Sequence, residues 1–98
     1  MELTVKKENG TLTIALSGRL DTSTAPQAEK AMEDNLAGVT QLVFDLDGLS
    51  YTSSAGLRVF LKAQKHMNRQ GSLVLRHVCP EIMEVFEFTG FTEILNIE

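Results

Sequence analysis

The sequence predicts a single α/β domain, built on a mixed sheet of four to five strands with three to four helices. An N-terminal hairpin precedes an alternation of short apolar runs and amphipathic segments. That order is typical of an antiparallel hairpin followed by parallel strands, which are joined by right-handed helical crossovers. The 98 residues are 43% apolar and 22% charged, and they suit one domain over residues 1–98 with a modest core.

The hairpin is predicted from alternation and from its turn. Leu3 and Val5 alternate with polar residues, which indicates a half-buried first strand. Asn9-Gly10 is a strong hairpin signal. Residues 11–17 then form the return strand, whose apolar residues share one face: Leu12, Ile14 and Leu16. Residues 18–22 are expected to leave the hairpin as a polar connection.

A first helix is predicted from its start signals and its spacing. Thr24 and Gln27 have the spacing of a capping box, and Pro26 suits the first helical turn. Four apolar residues recur at helical spacing: Ala25, Ala28, Met32 and Leu36. Gly38 is expected to end this helix.

The centre of the chain predicts a strand followed by the most strongly amphipathic helix. Residues 41–46 are contiguously apolar, which favours a strand covered on both faces. A serine-containing connection leads to a helix over about residues 54–69. Its apolar side is expected to hold Leu57, Phe60, Leu61, Gln64 and Met67. Its opposite side is basic, with Arg58, Lys62, Lys65 and Arg69.

The remaining residues predict one more strand and helix. Residues 72–76 form a short strand, and a helix over about residues 80–88 begins at Pro80 and ends at Gly90. Its inward residues are expected to be Ile82, Val85 and Phe86. The last apolar segment is interpreted as one helical turn followed by a short terminal strand.

Composition excludes several classes of function. A net charge of −4 argues against nonspecific nucleic-acid binding, and no apolar run approaches the roughly 20 residues of a membrane span. The N-terminus does not resemble a secretory signal, so we expect a cytoplasmic protein. Cys79 is the only cysteine, and with His77 it provides too few ligands for zinc. No catalytic motif is present, so we expect neither an enzyme nor a cofactor or metal.

Three aspartates follow predicted strands, where ligands of open α/β sheets gather: Asp21, Asp45 and Asp47. Aspartate is also common in turns because its carboxylate accepts hydrogen bonds from nearby backbone N–H groups. The spacing alone favours the turn interpretation.

Ser53 and Ser54 stand at the start of the central helix. Serine is a favoured N-cap, so one of the two is expected to cap the helix. The other hydroxyl is free to accept phosphate, which the positive end of the helix dipole would tolerate. Composition and spacing leave both interpretations open, with the capping role favoured.

Three segments resemble the STAS domain found in bacterial anti-sigma factor antagonists. Residues 45–58, DLDGLSYTSSAGLR, are similar to the family signature. Gly18-Arg-Leu-Asp21 resembles its earlier Gly-x-Leu-Asp element, and Phe86-Glu-Phe-Thr-Gly-Phe91 resembles its closing Phe-x-x-Thr-Gly-Leu segment. The three occur in the family's order across nearly the whole chain.

This resemblance implies a partner-switching protein without enzymatic activity. Such an antagonist binds an anti-sigma factor that is also a serine kinase with a GHKL-type ATP site, and thereby frees a sigma factor. Phosphorylation of one serine ends the binding, and a metal-dependent serine phosphatase restores it. The resemblance implies no direct contact with nucleic acid or membrane, and self-association stays open.

Matching the family motif assigns residues to roles. Gly56 in the motif places the phosphate acceptor at Ser54, and Ser53 then occupies the position where the family usually has aspartate. Asp21 matches a residue expected to contact the partner or to support the phosphorylation site. Ala55 and Gly56 are small enough for a partner to approach the helix start. Two basic residues, Arg58 and Lys62, are expected as further contacts with an acidic partner.

Two other functions are compatible with the same residues. One is a constitutive STAS interaction subunit of a lipid-transport or signalling assembly, which would bind independently of Ser54. The other is a domain that binds a nucleotide or another small ligand through Asp21 and the strand-end loops.

Overall fold

A computed structural model describes all residues from 1 to 98 as four strands and three helices. In chain order they are β1 (Glu2–Glu8), β2 (Thr11–Leu20), α1 (Ala25–Glu33), β3 (Gln41–Thr52), α2 (Ser54–Gln70), β4 (Ser72–Arg76) and α3 (Pro80–Thr89). A single 3-10 turn, Phe91–Glu93, follows α3. None of the helices combines the length and apolar character that a membrane crossing requires.

The four strands form one mixed sheet in the order β1-β2-β3-β4. β1 pairs with β2 antiparallel, and the other two pairings are parallel. Asn9 and Gly10 both have positive φ, 51° and 80°, as a type I′ hairpin turn requires. The predicted fold class is therefore confirmed. Because β1 is an edge strand, however, Val5 is 37% exposed and the strand is less buried than expected.

The helices all pack on one face of the sheet. Buried residues from α1, α2 and α3 join one core cluster with Leu42 and Phe44 of β3. Val43 points to the opposite face and lies outside that cluster, paired in register with Thr13 and Val74. Val43 and its register partner Val74 are each only 3% exposed. The prediction of a strand buried on both faces is therefore confirmed, although only the face of Leu42, Phe44 and Leu46 belongs to the core cluster.

An aromatic chain links the sheet to two helices. The Phe44 and Phe60 rings lie 5.2 Å apart and edge to face, and Phe60 and Phe86 lie 5.9 Å apart in the same arrangement. Phe91 stacks on Phe86 at 6.4 Å. These contacts join β3, α2, α3 and the 3-10 turn within one apolar layer, where edge-to-face aromatic pairs are favourable.

β2 and β3 both run further than the sequence predicted. Residues 18–20 are the end of β2, and the serine-containing connection is the second half of β3. Two register shifts between the strands let the pairing continue past Ala15 and Gly18. Leu20 and Leu49 are buried, which explains why these stretches remain in the sheet. Asp45 and Asp47 consequently lie inside β3 and not in a connection after it.

α1 differs from its prediction at both ends. Thr24 caps the helix without a side-chain bond to it, so the capping box does not form. The helix ends at Glu33, and Leu36 is buried in the segment that follows. Gly38 has a φ of 76° in that later turn and does not end the helix.

The helices α2 and α3 lie where the sequence placed them. The buried side of α2 is turned from the expected one, because Val59 and Ala63 are buried where Leu61 and Gln64 were expected. Gly90 closes α3 with a φ of 80°. The chain ends with a parallel bridge between Ile97 and Leu75, so the predicted terminal strand is a single bridge.

Candidate functional site

Two loops meet where β2 and β3 end. Because these strands are parallel, their carboxyl ends lie at the same edge of the sheet, with Leu20 opposite Thr52. The Ser53 N–H donates a hydrogen bond to the Leu20 carbonyl at 2.9 Å. This bond fixes the start of α2 beside the Asp21 loop that leads into α1.

The two serines at the start of α2 have different roles. Ser53 is the N-cap, with extended backbone, and its Oγ accepts the Ala55 N–H at 3.2 Å. The Ser53 carbonyl accepts the Leu57 N–H at 3.1 Å, the first helical bond. Ser54 is the first helical residue and is exposed, and its hydroxyl forms no hydrogen bond with another side chain or the backbone. The prediction that one serine caps the helix is confirmed for Ser53.

No acidic side chain lies in the first turn of α2. The unpaired N–H groups of a helix start carry a positive partial charge, which a nearby anion stabilises. The Ser53 hydroxyl is neutral and satisfies only one of these N–H groups. The helix start beside Ser54 therefore remains electrostatically suited to an added negative charge.

Asp21 organises the neighbouring loop. Its Oδ1 accepts hydrogen bonds from the Ser23 hydroxyl at 2.7 Å, the Ser23 N–H at 3.0 Å and the Thr24 N–H at 3.3 Å. The Ser23 hydroxyl is the main cause that lowers the pKa of Asp21. The turn interpretation of Asp21 is thus confirmed. Its Oδ2 receives no hydrogen bond within the chain and is available to an external donor.

Ala55 and Gly56 are both largely buried. Ala55 is only 8% exposed, and Gly56 is buried against β2 and β3. A Cβ placed on Gly56 would come within 2.2 Å of Thr52 Oγ1 and 2.8 Å of the Leu20 side chain. The small size of Gly56 therefore lets α2 approach the sheet, and the contact of Ala55 and Gly56 with a partner stays a prediction.

A groove of about 380 Å³ runs between α1 and α2 from the helix start. Lys62 lies across it and binds Glu29 of α1 with an N–O distance of 3.0 Å. Arg58 lines the same groove, is exposed and forms no ion pair within the chain. Of the two predicted basic contacts, only Arg58 has an uncompensated charge.

Sequence reasoning missed a pair at the same edge of the sheet. The Arg19 guanidinium lies 4.0 Å from the centroid of the Tyr51 ring, a cation–π contact, and Tyr51 is 40% exposed. The two residues face each other in the β2–β3 register. The sequence did not predict this pair, because residues 18–22 and 47–53 are expected from the sequence to be connections and not paired strands.

The other two predicted aspartates lie apart from the serines. Asp45 Oδ1 accepts the Asp47 N–H at 3.1 Å and lies 2.8 Å from His77 Nδ1. The hydrogen bond between them raises the pKa of His77 and lowers that of Asp45. His77 has an unusual φ of 60°, and no group of three or more potential ligand side chains is placed to bind a metal ion.

Comparison with known proteins identifies the family. Residues 2–98 match the family model described as the STAS domain. The chain belongs to the STAS domain family. This STAS domain is 39% identical over 99 residues to BtrV of Bordetella bronchiseptica, named as a candidate anti-sigma factor antagonist, covering 99% of this chain and 85% of BtrV. It is 33% identical over 96 residues to the anti-sigma-B factor antagonist of Listeria monocytogenes, covering 95% of this chain and 83% of that protein.

Solved structures share the fold of this STAS domain. The Bacillus cell fate determinant SpoIIAA in its phosphorylated form superimposes with a TM-score of 0.78 at 21% identity, covering 99% of this chain and 91% of that one. Its unphosphorylated form gives a TM-score of 0.79 at 20% identity, covering 99% and 87%. At this level of identity the likeness establishes the fold.

Proposed function

We propose that this STAS domain is an anti-sigma factor antagonist whose binding is switched by phosphate on Ser54. The observation that carries the proposal is the division of roles between the two serines. Ser53 uses its hydroxyl to cap α2, whereas the Ser54 hydroxyl is exposed and free. Relatives named anti-sigma factor antagonists support the same function.

The surroundings of Ser54 favour a phosphate there. The start of α2 carries no acidic residue, so a phosphate would complement the helix dipole without meeting a like charge on that turn. Arg58 lies four residues further along and on the same side of the helix, and it has no ion-pair partner. The domain would therefore stay folded after phosphorylation, and the phosphate would change the charge of the surface around Ser54.

The partner in this proposal is an anti-sigma factor with GHKL-type serine kinase activity. It would contact the edge of the sheet around Ser54, with Asp21 Oδ2 and Arg58 offering an unused acceptor and unused donors. A phosphoryl group adds about −1.5 to −2 charge at neutral pH and must be hydrated. Buried in an interface, that charge would oppose binding. A metal-dependent serine phosphatase would restore the binding form.

The test uses the cognate kinase, ATP and intact mass spectrometry. We expect one added phosphate on the wild type and on Ser53→Ala, and none on Ser54→Ala. Ser53→Ala is the matched control because it changes the adjacent hydroxyl. Binding measured by calorimetry should be weakened at least tenfold by Ser54→Asp and little by Ser54→Ala, a tenfold change being about 1.4 kcal/mol.

Two results would contradict the proposal. Phosphate that still appears on Ser54→Ala would assign the acceptor elsewhere. Equal binding by the wild type, Ser54→Ala and Ser54→Asp would instead indicate a constitutive interaction subunit.

A further inference from the structure

One side of α3 presents a large apolar residue at the end of an acidic row. Phe88 is 94% exposed, although Phe86 on the same helix is fully buried. Glu81, Glu84 and Phe88 are spaced by three and four residues, so they share one side of the helix. A single exposed apolar residue is common on protein surfaces. The exposed Phe88 indicates a binding surface only if a complementary surface exists.

The same chain carries a complementary surface in the groove between α1 and α2. The floor of the groove is apolar and includes Ala25, Ala55 and Val59, and Pro26 stands at its side. Its volume is about 380 Å³, whereas a cavity of about 150 Å³ is enough to hold benzene. One aromatic ring therefore fits, and Arg58 stands at the edge with an uncompensated positive charge.

The charges on the two surfaces are also complementary. Along α2, four exposed basic residues recur every three or four positions: Arg58, Lys62, Lys65 and Arg69. After Arg76 the chain has five glutamates and no lysine or arginine. At 1.5 Å per helical residue, both rows repeat every ~5 Å. With Phe88 beside Arg58, an antiparallel α3 would place Glu84 level with Lys62 and Glu81 level with Lys65, which forms no ion pair within the chain.

We propose that the occupant of this groove is Phe88 of a second copy of the same chain. The contact is heterologous, because it joins α3 of one copy to the α1–α2 groove of another. Each pair keeps one free groove and one free Phe88, so further copies can add. The contact occupies the groove beside Ser54, so self-association and any ligand of that groove exclude each other. It does not require phosphorylation of Ser54.

Sedimentation velocity of the purified protein tests this contact. We expect the weight-average mass to rise with protein concentration at low salt, and to fall back to the monomer near 1 M salt, where charges are screened within about 3 Å. Phe88→Ser and Arg58→Glu should each be monomeric. Lys6→Glu, a charge reversal on β1, is the matched control and should associate like the wild type. Thermal melts check that every variant is folded.

A mixture of the two monomeric variants gives the sharpest result. Phe88→Ser retains an intact groove, and Arg58→Glu retains Phe88, so an equimolar mixture should form a dimer and nothing larger. A wild type that stays monomeric at every concentration would overturn the proposal. So would association that persists in Phe88→Ser, or a mixture that remains monomeric. Ser54→Ala should associate normally, so this test can fail independently of the phosphorylation test.

Discussion

Replacing Gly56 with alanine tests why a glycine stands at the start of α2. The new Cβ would lie 2.2 Å from Thr52 Oγ1 and 2.8 Å from Leu20 Cγ and Cδ2. Carbon atoms normally pack at about 3.5–4.0 Å, so Leu20 or the helix must move by about 1 Å. Both neighbours are buried, at 6% and 0% exposure, and have little room to move. Overpacking of this kind costs about 1–3 kcal/mol.

Alanine also favours the helix over glycine by up to about 1 kcal/mol, which offsets part of that cost. Because a 2.2 Å contact is a severe overlap, the overpacking cost falls in the upper part of its range, about 2–3 kcal/mol. We therefore expect a net loss of about 1–2 kcal/mol, or a fall in Tm of about 4–16 °C for a domain of this size. Thermal unfolding followed by circular dichroism measures it. Lys65→Ala, at an exposed position of the same helix, is the control and should change little. An unchanged or higher Tm for Gly56→Ala would refute the packing argument.

The remaining predictions concern pH and the helix cap. Because Asp45 raises the pKa of His77, the stability that His77 contributes is complete below its ordinary value of 6.5 and is lost as pH rises through the raised value. The hydrogen bond with His77 lowers the pKa of Asp45, so the stability that Asp45 contributes is complete above pH 3.8 and is lost as the pH falls through the lowered pKa. His77→Asn is the variant of choice, because asparagine tolerates the positive φ at this position. The Tm of the wild type should exceed that of His77→Asn most between pH 3.8 and pH 6.5, and the difference should shrink towards alkaline pH. A difference in Tm that does not change with pH would contradict this. Ser53→Ala should lose about 1 kcal/mol with the bond to Ala55, whereas Ser54→Ala should stay within about 0.5 kcal/mol in urea unfolding. Equal losses would refute the assignment of the cap.

The sequence predicted the order and type of every element because its local signals were strong. Asn9-Gly10 requires a turn with positive φ, and Gly90 can end α3 in the left-handed conformation that the structure shows. The alternation of β2 identified its inward apolar residues, and the amphipathic pattern of α2 identified Leu57, Phe60 and Met67 as buried. These features depend on neighbours within a few residues.

The failures all involve contacts between distant residues. Residues 18–20 and 47–52 look polar and glycine-rich, yet pairing across the β2–β3 register makes both of them strand. Local periodicity could not tell which face of β3 joins the core cluster, because contiguous apolar residues do not indicate which face the helices cover. Likewise the Asp21 carbonyl accepts the Ala25 N–H at the start of α1, where the Thr24 side chain was expected to act, and only the folded loop reveals this bond. At the site, the contact between Ser53 and Leu20 could likewise be recognised only once the pairing of β2 with β3 was known.

The strand order has a consequence for how this domain assembles. Each strand after β1 pairs with the strand that precedes it in the chain. The two parallel pairings have nearly equal offsets, 41 − 11 = 30 residues from Thr11 to Gln41 and 72 − 41 = 31 from Gln41 to Ser72. Loop-closure entropy rises only with the logarithm of loop length, so the two crossovers cost nearly the same. The sheet can therefore grow in the direction of synthesis, one crossover at a time. Until β4 arrives, β3 is an exposed apolar edge, and an arrest at that stage would favour aggregation.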